Sequence, residues 1–304
     1  MEIGASSFGD TPLNPDGTSR TTAEGIQNVC DAVVHPDNAG LDYFGVGEHH
    51  SVTMPASSPG AMLAAAAAAS KNIKPGSAAS IISTDDPVRV FQRLDTADAI
   101  SGRRRIEITA GCGSSLETFP LFGFDLHDYD EFYFEKLDLL VSINNSGDEN
   151  VSWEGTVRPN IGSRAVVARP VQGKLPLWVA TDGSPASDAR AGILGPPISC
   201  GIIGGAPHRF APLAGLYRKS AEQAGHSGGD IKISVAALGP VAPAKKEALE
   251  RIYQGWHNVN VEMERLPHFL QTDIGGLPHE HLLESITVPA TEVKPRVESL
   301  LAKK

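Results

Sequence analysis

The chain has 304 residues, enough for one large barrel or two smaller domains, and carries a formal charge of −10 with a pI near 5.5. This acidity argues against nucleic acid or an anionic membrane as the main partner, while leaving room for a local basic pocket that holds one phosphate. The amino terminus lacks signal-peptide regions and no apolar run approaches the roughly 20 residues of a membrane helix, which favours a cytoplasmic location.

Eight short apolar runs recur along the chain, separated by stretches long enough for helices. The runs are Ile3 to Phe8, Leu41 to Val46, Ser77 to Ile82, Ile106 to Ala110, Leu175 to Ala180, Ile198 to Ile203, Ile231 to Leu238 and His268 to Ile274. Most are apolar at nearly every position, as expected for strands covered on both faces. The alternation predicts parallel strands with right-handed crossovers, in one (β/α)8 TIM-barrel domain over residues 1–304.

Several of the intervening helices have recognisable starts. Thr21 to Glu24 and Asp128 to Glu131 have the spacing of capping boxes. Ser184-Pro185 and Ala206-Pro207 place proline where a first helical turn accepts it. The alanine run from Ala64 to Ala69 predicts a second helix that packs closely on the strands.

One connection, from Gly147 to Lys174, is longer than the others. It separates the fourth predicted helix from the fifth predicted strand and is rich in Gly, Pro, Arg and isolated aromatic residues. We interpret it as an excursion over the top of the barrel, in a position to cover a substrate.

The second apolar run ends abruptly on a polar cluster, Gly47-Glu48-His49-His50. Successive side chains of a strand face opposite ways, so only one of the two adjacent histidines is expected to point into the barrel mouth. The pair is therefore a poor metal chelate, and no metal site is predicted. One interpretation is a capped strand end whose histidines bond to the neighbouring backbone. The other is a neutral or poised imidazole that donates to a reacting oxygen.

Hydroxyl groups mark the start of the fifth predicted helix, after Gly183. Ser184 occupies an N-cap position and Ser187 follows three residues later, so both hydroxyls and several free backbone N–H groups converge at the positive end of the helix. This arrangement binds phosphate, although simple capping explains Ser184 and the following proline as well. Gly204-Gly205, after the sixth strand, adds a flexible loop on the same face where the backbone can approach an anion.

A Gly-x-Gly sequence, Gly111-Cys112-Gly113, follows the fourth predicted strand. The two glycines permit close approach of the backbone to a planar or anionic ligand, but without a helix directly behind them they are weak evidence for a nucleotide site. Cys112 is either a reactive thiol in the barrel mouth or a small buried apolar side chain. Together with Cys30 and Cys200 it suits neither a disulfide framework nor a zinc site.

Taken together, these stretches resemble the bacterial luciferase-like flavin monooxygenase family. They follow the order of the family and cover nearly the whole chain. The matching stretches are Phe44 to His50, Gly76 to Ser80, Asp86 to Arg89, Ser101 to Arg103, Gly111 to Ser115, Leu121 to Gly123, Leu177 to Ala180, Gly183 to Pro185 and Ala224 to His226. The Glu-His-His sequence is the most specific of them.

The resemblance implies a TIM barrel whose carboxyl-end loops hold FMN or, in some branches, a deazaflavin. His49 matches the active-site histidine, with Glu48 beside it, and Ser184 and Ser187 match the hydroxyls that hold the flavin phosphate. The region beside the isoalloxazine, a strand bulge or a cis peptide in this family, corresponds to Ala78-Ala79, followed by Ser80. The remaining cofactor-binding positions implied are Gly111, Cys112, Gly113, Gly183, Gly204 and Gly205.

The sequence departs from the family pattern at two places. Cys112 stands where the family commonly has an arginine that reaches the flavin phosphate, so a charged contact worth about 1.5 to 3 kcal/mol is missing and a low cofactor affinity is expected. The segment between Tyr253 and His268 is shorter than usual, which predicts an irregular last part of the barrel.

The leading hypothesis is a monooxygenase that uses reduced FMN, supplied by a separate flavin reductase, and molecular oxygen to oxygenate a small organic substrate, as a homodimer. One alternative is a deazaflavin-dependent oxidoreductase that transfers hydride in the same barrel. Another is a non-catalytic flavin-binding or ligand-free barrel retained for partner binding.

Overall fold

The computed structural model describes residues 2–12, 14, 18, 20–102, 105–113, 118–202 and 207–237, with scattered positions at 239, 242, 244, 246–250, 291, 295 and 299. The chain divides into two compact units. Unit 1 comprises Met1–Ser77 and Gly239–Lys304, and unit 2 comprises Ala78–Leu238. The single domain over residues 1–304 stays a prediction.

Unit 1 contains a parallel sheet of three strands in the order β1-β2-β3. The strands are β1 (Gly4–Ser7), β2 (Tyr43–Val46) and β3 (Lys74–Ser77). Helix α1 (Thr22–Ala39) joins β1 to β2, and α2 (Pro59–Ala69) joins β2 to β3. The capping box predicted at Thr21 is confirmed, because the Glu24 N–H donates to the Thr21 hydroxyl and the Thr21 N–H donates to the Glu24 carboxylate.

Unit 2 contains a parallel sheet of five strands in the order β10-β9-β8-β5-β4. The strands are β4 (Ser80–Ile81), β5 (Ile108–Gly111), β8 (Leu177–Thr181), β9 (Ile198–Ile202) and β10 (Ile233–Ala237). The helices are α3 (Pro87–Ser101), α4 (Thr118–Leu121), α5 (Tyr129–Asn145), α6 (Pro185–Leu194) and α7 (Ala211–Gln223). The predicted rhythm of strand, helix and parallel strand is therefore present in both units.

The third predicted strand, Ser77 to Ile82, is divided in the structure. β3 ends at Ser77 and β4 begins at Ser80, and the peptide bond between Ala78 and Ala79 is cis. β3 also begins earlier than predicted, because Lys74 and Pro75 interrupt the apolar pattern without leaving the strand. Proline is tolerated there because β3 is the outermost strand of its sheet.

Two predicted helix starts are wrong in detail. Asp128 precedes α5, but its side chain makes no capping hydrogen bond, and Asp125 instead accepts the His127 N–H at 2.9 Å. Pro207 begins a short 3₁₀ turn, and α7 starts only at Ala211. In both places a single 3₁₀ turn precedes the long helix, and the residue predicted to start the helix belongs to that turn.

The long excursion contains an antiparallel hairpin that the sequence did not indicate, formed by β6 (Val151–Trp153) and β7 (Ile161–Arg164). Its tip is held by Glu135 of α5, which accepts the backbone N–H groups of Thr156, Val157 and Arg158 at 2.6, 3.0 and 3.1 Å. The Arg158 guanidinium lies 2.8 Å from the carboxylate of Asp86, the N-cap of α3. The excursion is therefore bound to α3 and α5, and a cover over a substrate stays a prediction.

Three predicted features lie outside the described residues. They are the eighth strand, His268 to Ile274, the irregular last part of the barrel predicted from the segment between Tyr253 and His268, and the Gly204-Gly205 loop.

Candidate active site

His49 lies after the end of β2 in unit 1, in a loop that packs against the loop after β1. Its backbone N–H donates to the Ala56 carbonyl at 3.2 Å, and its ring packs edge-on against Phe8 with the centroids 5.4 Å apart. Gly9 has a φ of +84°, and a Cβ there would lie 2.4 Å from the Ala56 side chain, so this close approach of the two loops requires glycine. The loops hold the His49 side chain 7% exposed.

The environment of His49 keeps its imidazole neutral. Burial lowers the pKa of His49 to about 4, and the neighbouring His50 adds to the effect. Near neutral pH His49 is therefore a hydrogen-bond donor and acceptor, and not a cationic acid. Of the two states that the sequence left open, neutral and poised, the structure favours the neutral one.

Glu48 and His50 form a separate pair. A carboxylate oxygen of Glu48 lies 3.2 Å from Nε2 of His50, and each side chain is only 10% exposed. The two adjacent histidines have different surroundings, although both lie beyond the end of β2 and not in the strand. The Glu48 carboxylate therefore contacts the second histidine of the pair.

In unit 2, the ends of β4 and β5 approach each other closely at Gly111. A Cβ at Gly111 would lie 2.8 Å from the Ala79 side chain and 3.8 Å from that of Ala180, so only glycine allows this spacing. Ser80 begins β4, pairs with Ala110 and is buried. Four predicted positions, Ala78, Ala79, Ser80 and Gly111, are thus neighbours around the cis peptide.

Cys112 and Gly113 continue this strand end toward α5. Gly113 has a φ of +87°, a left-handed conformation, and its carbonyl accepts the Tyr129 hydroxyl at 2.7 Å. Burial raises the pKa of the Cys112 thiol. A hydrogen bond with Tyr129 opposes this rise, and the charge of Asp182 adds to it. The thiol is therefore uncharged near neutral pH and is no substitute for the missing arginine.

The start of α6 has hydroxyl groups that are not used for capping. Ser184 is the N-cap residue, but its side chain makes no capping hydrogen bond, and Pro185 fills the first turn as predicted. Ser184 and Ser187 are both half-buried. Gly183 has a φ of +108°, and the nearest atom to a Cβ there, on the Phe210 ring, would be 3.5 Å away. Simple capping therefore does not account for Ser184.

Sequence reasoning missed a set of buried polar groups beside these strand ends. The hydroxyls of Tyr133 and Thr181 and both carboxylate oxygens of Asp188 are buried and have no hydrogen-bond partner among the described residues. Burial raises the pKa of Tyr133, and Cys112 and Asp182 add to the rise, so the Tyr133 hydroxyl lies near these two side chains. The spacing of Tyr129 and Tyr133 along one face of α5 could have revealed the pair.

Two negative findings apply to the described part of the chain. No group of three or more His, Cys, Asp or Glu side chains there is arranged to hold a metal ion. None of the helices found there has both the length and the apolar character needed to cross a membrane.

The model of the luciferase-like monooxygenase family matches residues 5–289, which is nearly the whole chain. The chain belongs to the luciferase-like monooxygenase family. This confirms the resemblance read from the Glu-His-His sequence and its companions, and membership supports an enzyme of the oxidoreductase class.

One curated relative of this luciferase-like protein is the 4-hydroxyprotoasukamycin monooxygenase of Streptomyces nodosus subsp. asukaensis. It is 28% identical over 226 residues, which cover 72% of this chain and 60% of that relative. An uncharacterised protein of Sinorhizobium fredii is 28% identical over 54% of this chain and 47% of its own length. The chain thus spans about half to three fifths of the curated relatives it matches.

Solved structures show the fold of this luciferase-like protein. The monooxygenase RslO1 from Streptomyces bottropensis has a TM-score of 0.78 at 18% identity and covers 98% of this chain and 100% of its own. The oxygenating constituent of 3,6-diketocamphane monooxygenase from Pseudomonas putida, solved with FMN, has a TM-score of 0.70 at 20% identity and covers 88% and 74%. An F420-dependent secondary alcohol dehydrogenase, solved with an F420-acetone adduct, has a TM-score of 0.68 at 17% identity and covers 97% and 84%. The predicted α/β TIM-barrel fold class is confirmed.

Proposed function

We propose that this luciferase-like protein is a flavin-dependent monooxygenase that uses reduced FMN and molecular oxygen to oxygenate a small organic substrate. The observation that carries the proposal is the start of α6, where the side chain of the N-cap residue Ser184 makes no capping hydrogen bond and follows Gly183, whose φ is +108°. A helix N-terminus with free N–H groups and free hydroxyls favours a phosphate.

The residues present fit the phosphate of FMN through neutral donors. The Tyr133 hydroxyl is buried without a partner among the described residues, and an unsatisfied buried donor of this kind is stabilised by a ligand oxygen. Ser184 and Ser187 would hold the phosphate, with the backbone N–H groups of the first turn of α6. Gly183, Cys112 and Gly113 would border it, and we keep Gly204 and Gly205 as proposed members of the same site.

We propose that Ala78, Ala79, Ser80 and Gly111 border the flavin ring. Once bound, a reduced flavin supplies the electrons for oxygen chemistry, and the chain supplies binding, orientation and exclusion of water. The small side chains of Ala78, Ala79 and Ser80 let a planar group approach the backbone, which supports this assignment.

We propose that His49 is the catalytic residue that donates an imidazole N–H to the reacting oxygen. A pKa of about 4 keeps this donor in place throughout the neutral pH range. Glu48, 3.2 Å from His50, is proposed to act as a positioning residue for the His49-His50 turn.

The cofactor alternative remains a deazaflavin, because the structural neighbours include both an FMN complex and an F420 complex. A separate flavin reductase and a homodimer are part of the proposal for the FMN reaction. The net charge of −10 and the family give no support to a nucleic-acid partner.

An anaerobic titration with FMN, reduced FMN, riboflavin and F420 tests the proposal. We expect stoichiometric binding of reduced FMN, and weaker binding of riboflavin because it lacks the phosphate. Preference for F420 would support the deazaflavin alternative. Binding of none of the four would support the non-catalytic barrel.

A further inference from the structure

Asp188 is a buried acidic residue of α6, the helix that we assign to phosphate binding. It lies in the first turn of α6, is 0% exposed, and neither of its oxygens has a hydrogen-bond partner among the described residues. Burying a charged carboxylate without partners is costly, so this position favours the neutral acid.

The groups around Asp188 do not compensate a negative charge. From β8, Thr181 is buried and the exposed carboxylate of Asp182 follows it, while from β9 the Cys200 thiol is 6% exposed. Burial raises the pKa of Asp188, and the charge of Asp182 adds to the rise. The Thr181 hydroxyl lies close enough to oppose part of the rise, although its geometry falls short of a hydrogen bond to either carboxylate oxygen. Burial also raises the pKa of Cys200, with the charge of Asp188 adding to it.

The other elements that contact α6 provide no cation for Asp188 within the described residues. Arg190, two residues further along α6, donates to Asp138 of α5 at 2.7 Å and lies 4.5 Å from the Phe134 ring centroid. Helix α7 contributes Tyr217, whose hydroxyl donates to the Pro196 carbonyl, and Ser220 beside Gly192. Among the described residues, the side chains around the carboxyl group are therefore neutral or acidic.

We propose that Asp188 couples occupation of the phosphate site to the uptake of one proton, so that the protein holds a phosphorylated cofactor with Asp188 neutral. This inference rests on the proposed function. A phosphate at the start of α6 would lie about one helical turn, roughly 5 Å, from Asp188. Two anions at that distance in a partly buried site repel each other strongly, so binding favours protonation of the carboxyl group.

The sign of the pH dependence follows from this coupling. Between the pKa of Asp188 in the free protein and its higher pKa in the complex, FMN binding takes up a proton, so the FMN affinity falls as the pH rises through this range. Riboflavin lacks the phosphate and escapes this effect. The phosphate of free FMN also titrates, but it does so equally in experiments with the protein and with an Asp188 variant. The ratio of their FMN affinities therefore isolates the contribution of Asp188.

The test compares the protein with Asp188→Asn, using oxidised FMN and riboflavin as ligands. We expect the variant to bind FMN about tenfold more tightly at about pH 8.5 and by a smaller factor at about pH 5.5, because the pKa of Asp188 is raised, with riboflavin unchanged. Calorimetry in two buffers of different ionisation enthalpy should show more proton uptake for the protein than for the variant where Asp188 titrates. Asp188→Ala serves if Asp188→Asn does not fold.

Asp182→Asn is the matched control, because it removes an exposed carboxylate from the same strand end. Its effect on FMN affinity should fade as salt rises, whereas that of the buried Asp188 should persist. Equal FMN affinities for the protein and Asp188→Asn at both pH values, with riboflavin as reference, would overturn the coupling while leaving FMN binding intact. Absence of binding by either flavin would overturn the proposed function and the coupling together.

Discussion

At the scale of single residues, the two histidines of Glu-His-His illustrate how adjacent side chains acquire different chemistry. His49 is packed against Phe8 and loses its charge through burial, whereas His50 lies beside the Glu48 carboxylate. A neutral buried imidazole retains one donor N–H, which is what a hydrogen bond to a reacting oxygen requires.

We expect His49→Ala to lower turnover at least about tenfold while leaving flavin affinity nearly unchanged, because the N–H acts on the reacting oxygen and not on the phosphate. The measurement is oxygenated product formed per reduced FMN supplied. His127→Ala, at an exposed position, is the control. A variant with unchanged turnover would contradict the catalytic assignment.

The substitution Cys112→Arg tests whether this position borders the flavin phosphate, as the arginine of related proteins is expected to do. If this position borders the phosphate, Cys112→Arg should tighten FMN binding by about 1 to 2 kcal/mol and leave riboflavin binding unchanged. The gain in FMN affinity should become smaller as the salt concentration rises. Asp182 would be an available counter-charge, since it already acts on the thiol. A lower melting temperature without a gain in FMN affinity would indicate a buried guanidinium without a partner, and would refute the assignment.

At the scale of elements, α6 is a helix whose start is better suited to a ligand than to its own cap. The side chain of Ser184 makes no capping hydrogen bond, and the helix begins with a proline that has no N–H to satisfy. Its free first-turn donors are therefore available to an anion.

The double variant Ser184→Ala with Ser187→Ala should weaken FMN binding by about 1 to 3 kcal/mol and leave riboflavin binding almost unaffected. Because Ser184 does not cap α6, the melting temperature should change little. Equal losses for the two flavins would instead reveal damage to the helix.

The hairpin of β6 and β7 depends on one carboxylate, since Glu135 accepts three successive backbone N–H groups and the Thr156 hydroxyl. These bonds lower the pKa of Glu135 to about 2, against the opposing effect of burial. Glu135→Gln should therefore raise hydrogen exchange in residues 151–164 by roughly tenfold, a loss of about 1.4 kcal/mol of local protection.

Glu131→Gln is the matched control on the same helix, because in the described part of this tip Glu131 accepts only the Thr156 hydroxyl, at 3.2 Å. It should leave exchange in the hairpin nearly unchanged. Equal exchange in the two variants would show that the N–H contacts of Glu135 do not hold the hairpin.

At the scale of the whole molecule, stability should depend on a second buried carboxylate. Asp95 of α3 is 0% exposed, and neither oxygen has a hydrogen-bond partner among the described residues. Burial raises the pKa of Asp95 to about 6, with Asp98 adding to the effect and Arg169 opposing it. The folded chain thus holds this proton to a higher pH than the unfolded chain, so stability falls between about pH 4 and pH 6 and stays lower above.

Asp95→Asn should raise the free energy of unfolding by up to about 3 kcal/mol near pH 8 and change it little near pH 4. Denaturant unfolding at the two pH values measures the difference. Asp148→Asn, at an exposed position, should have no effect at either pH. A stabilisation of Asp95→Asn that is equal at both pH values would contradict titration of Asp95.

The sequence by itself determined the rhythm of parallel strands and helices, the family, and most of the positions now proposed for the site. Strand periodicity, helix caps and the Glu-His-His and Ser-Pro signals depend on neighbours a few residues apart, so they can be read locally. Pro75 inside β3 misled this reading, because its place on an outer strand depends on which strands pair.

The tertiary structure alone decided the pairing of Glu48 with His50, the close approach of Ala79 to Gly111, and the burial of Tyr133 and Asp188 without partners. It also decided that Glu135 holds the tip of the hairpin 21 to 23 residues further along the chain. Burial and hydrogen-bond satisfaction depend on groups far apart in the sequence, and these contacts set the charge of His49, Asp95 and Asp188. Residue type identifies which side chains can ionise, whereas only their surroundings decide whether they do.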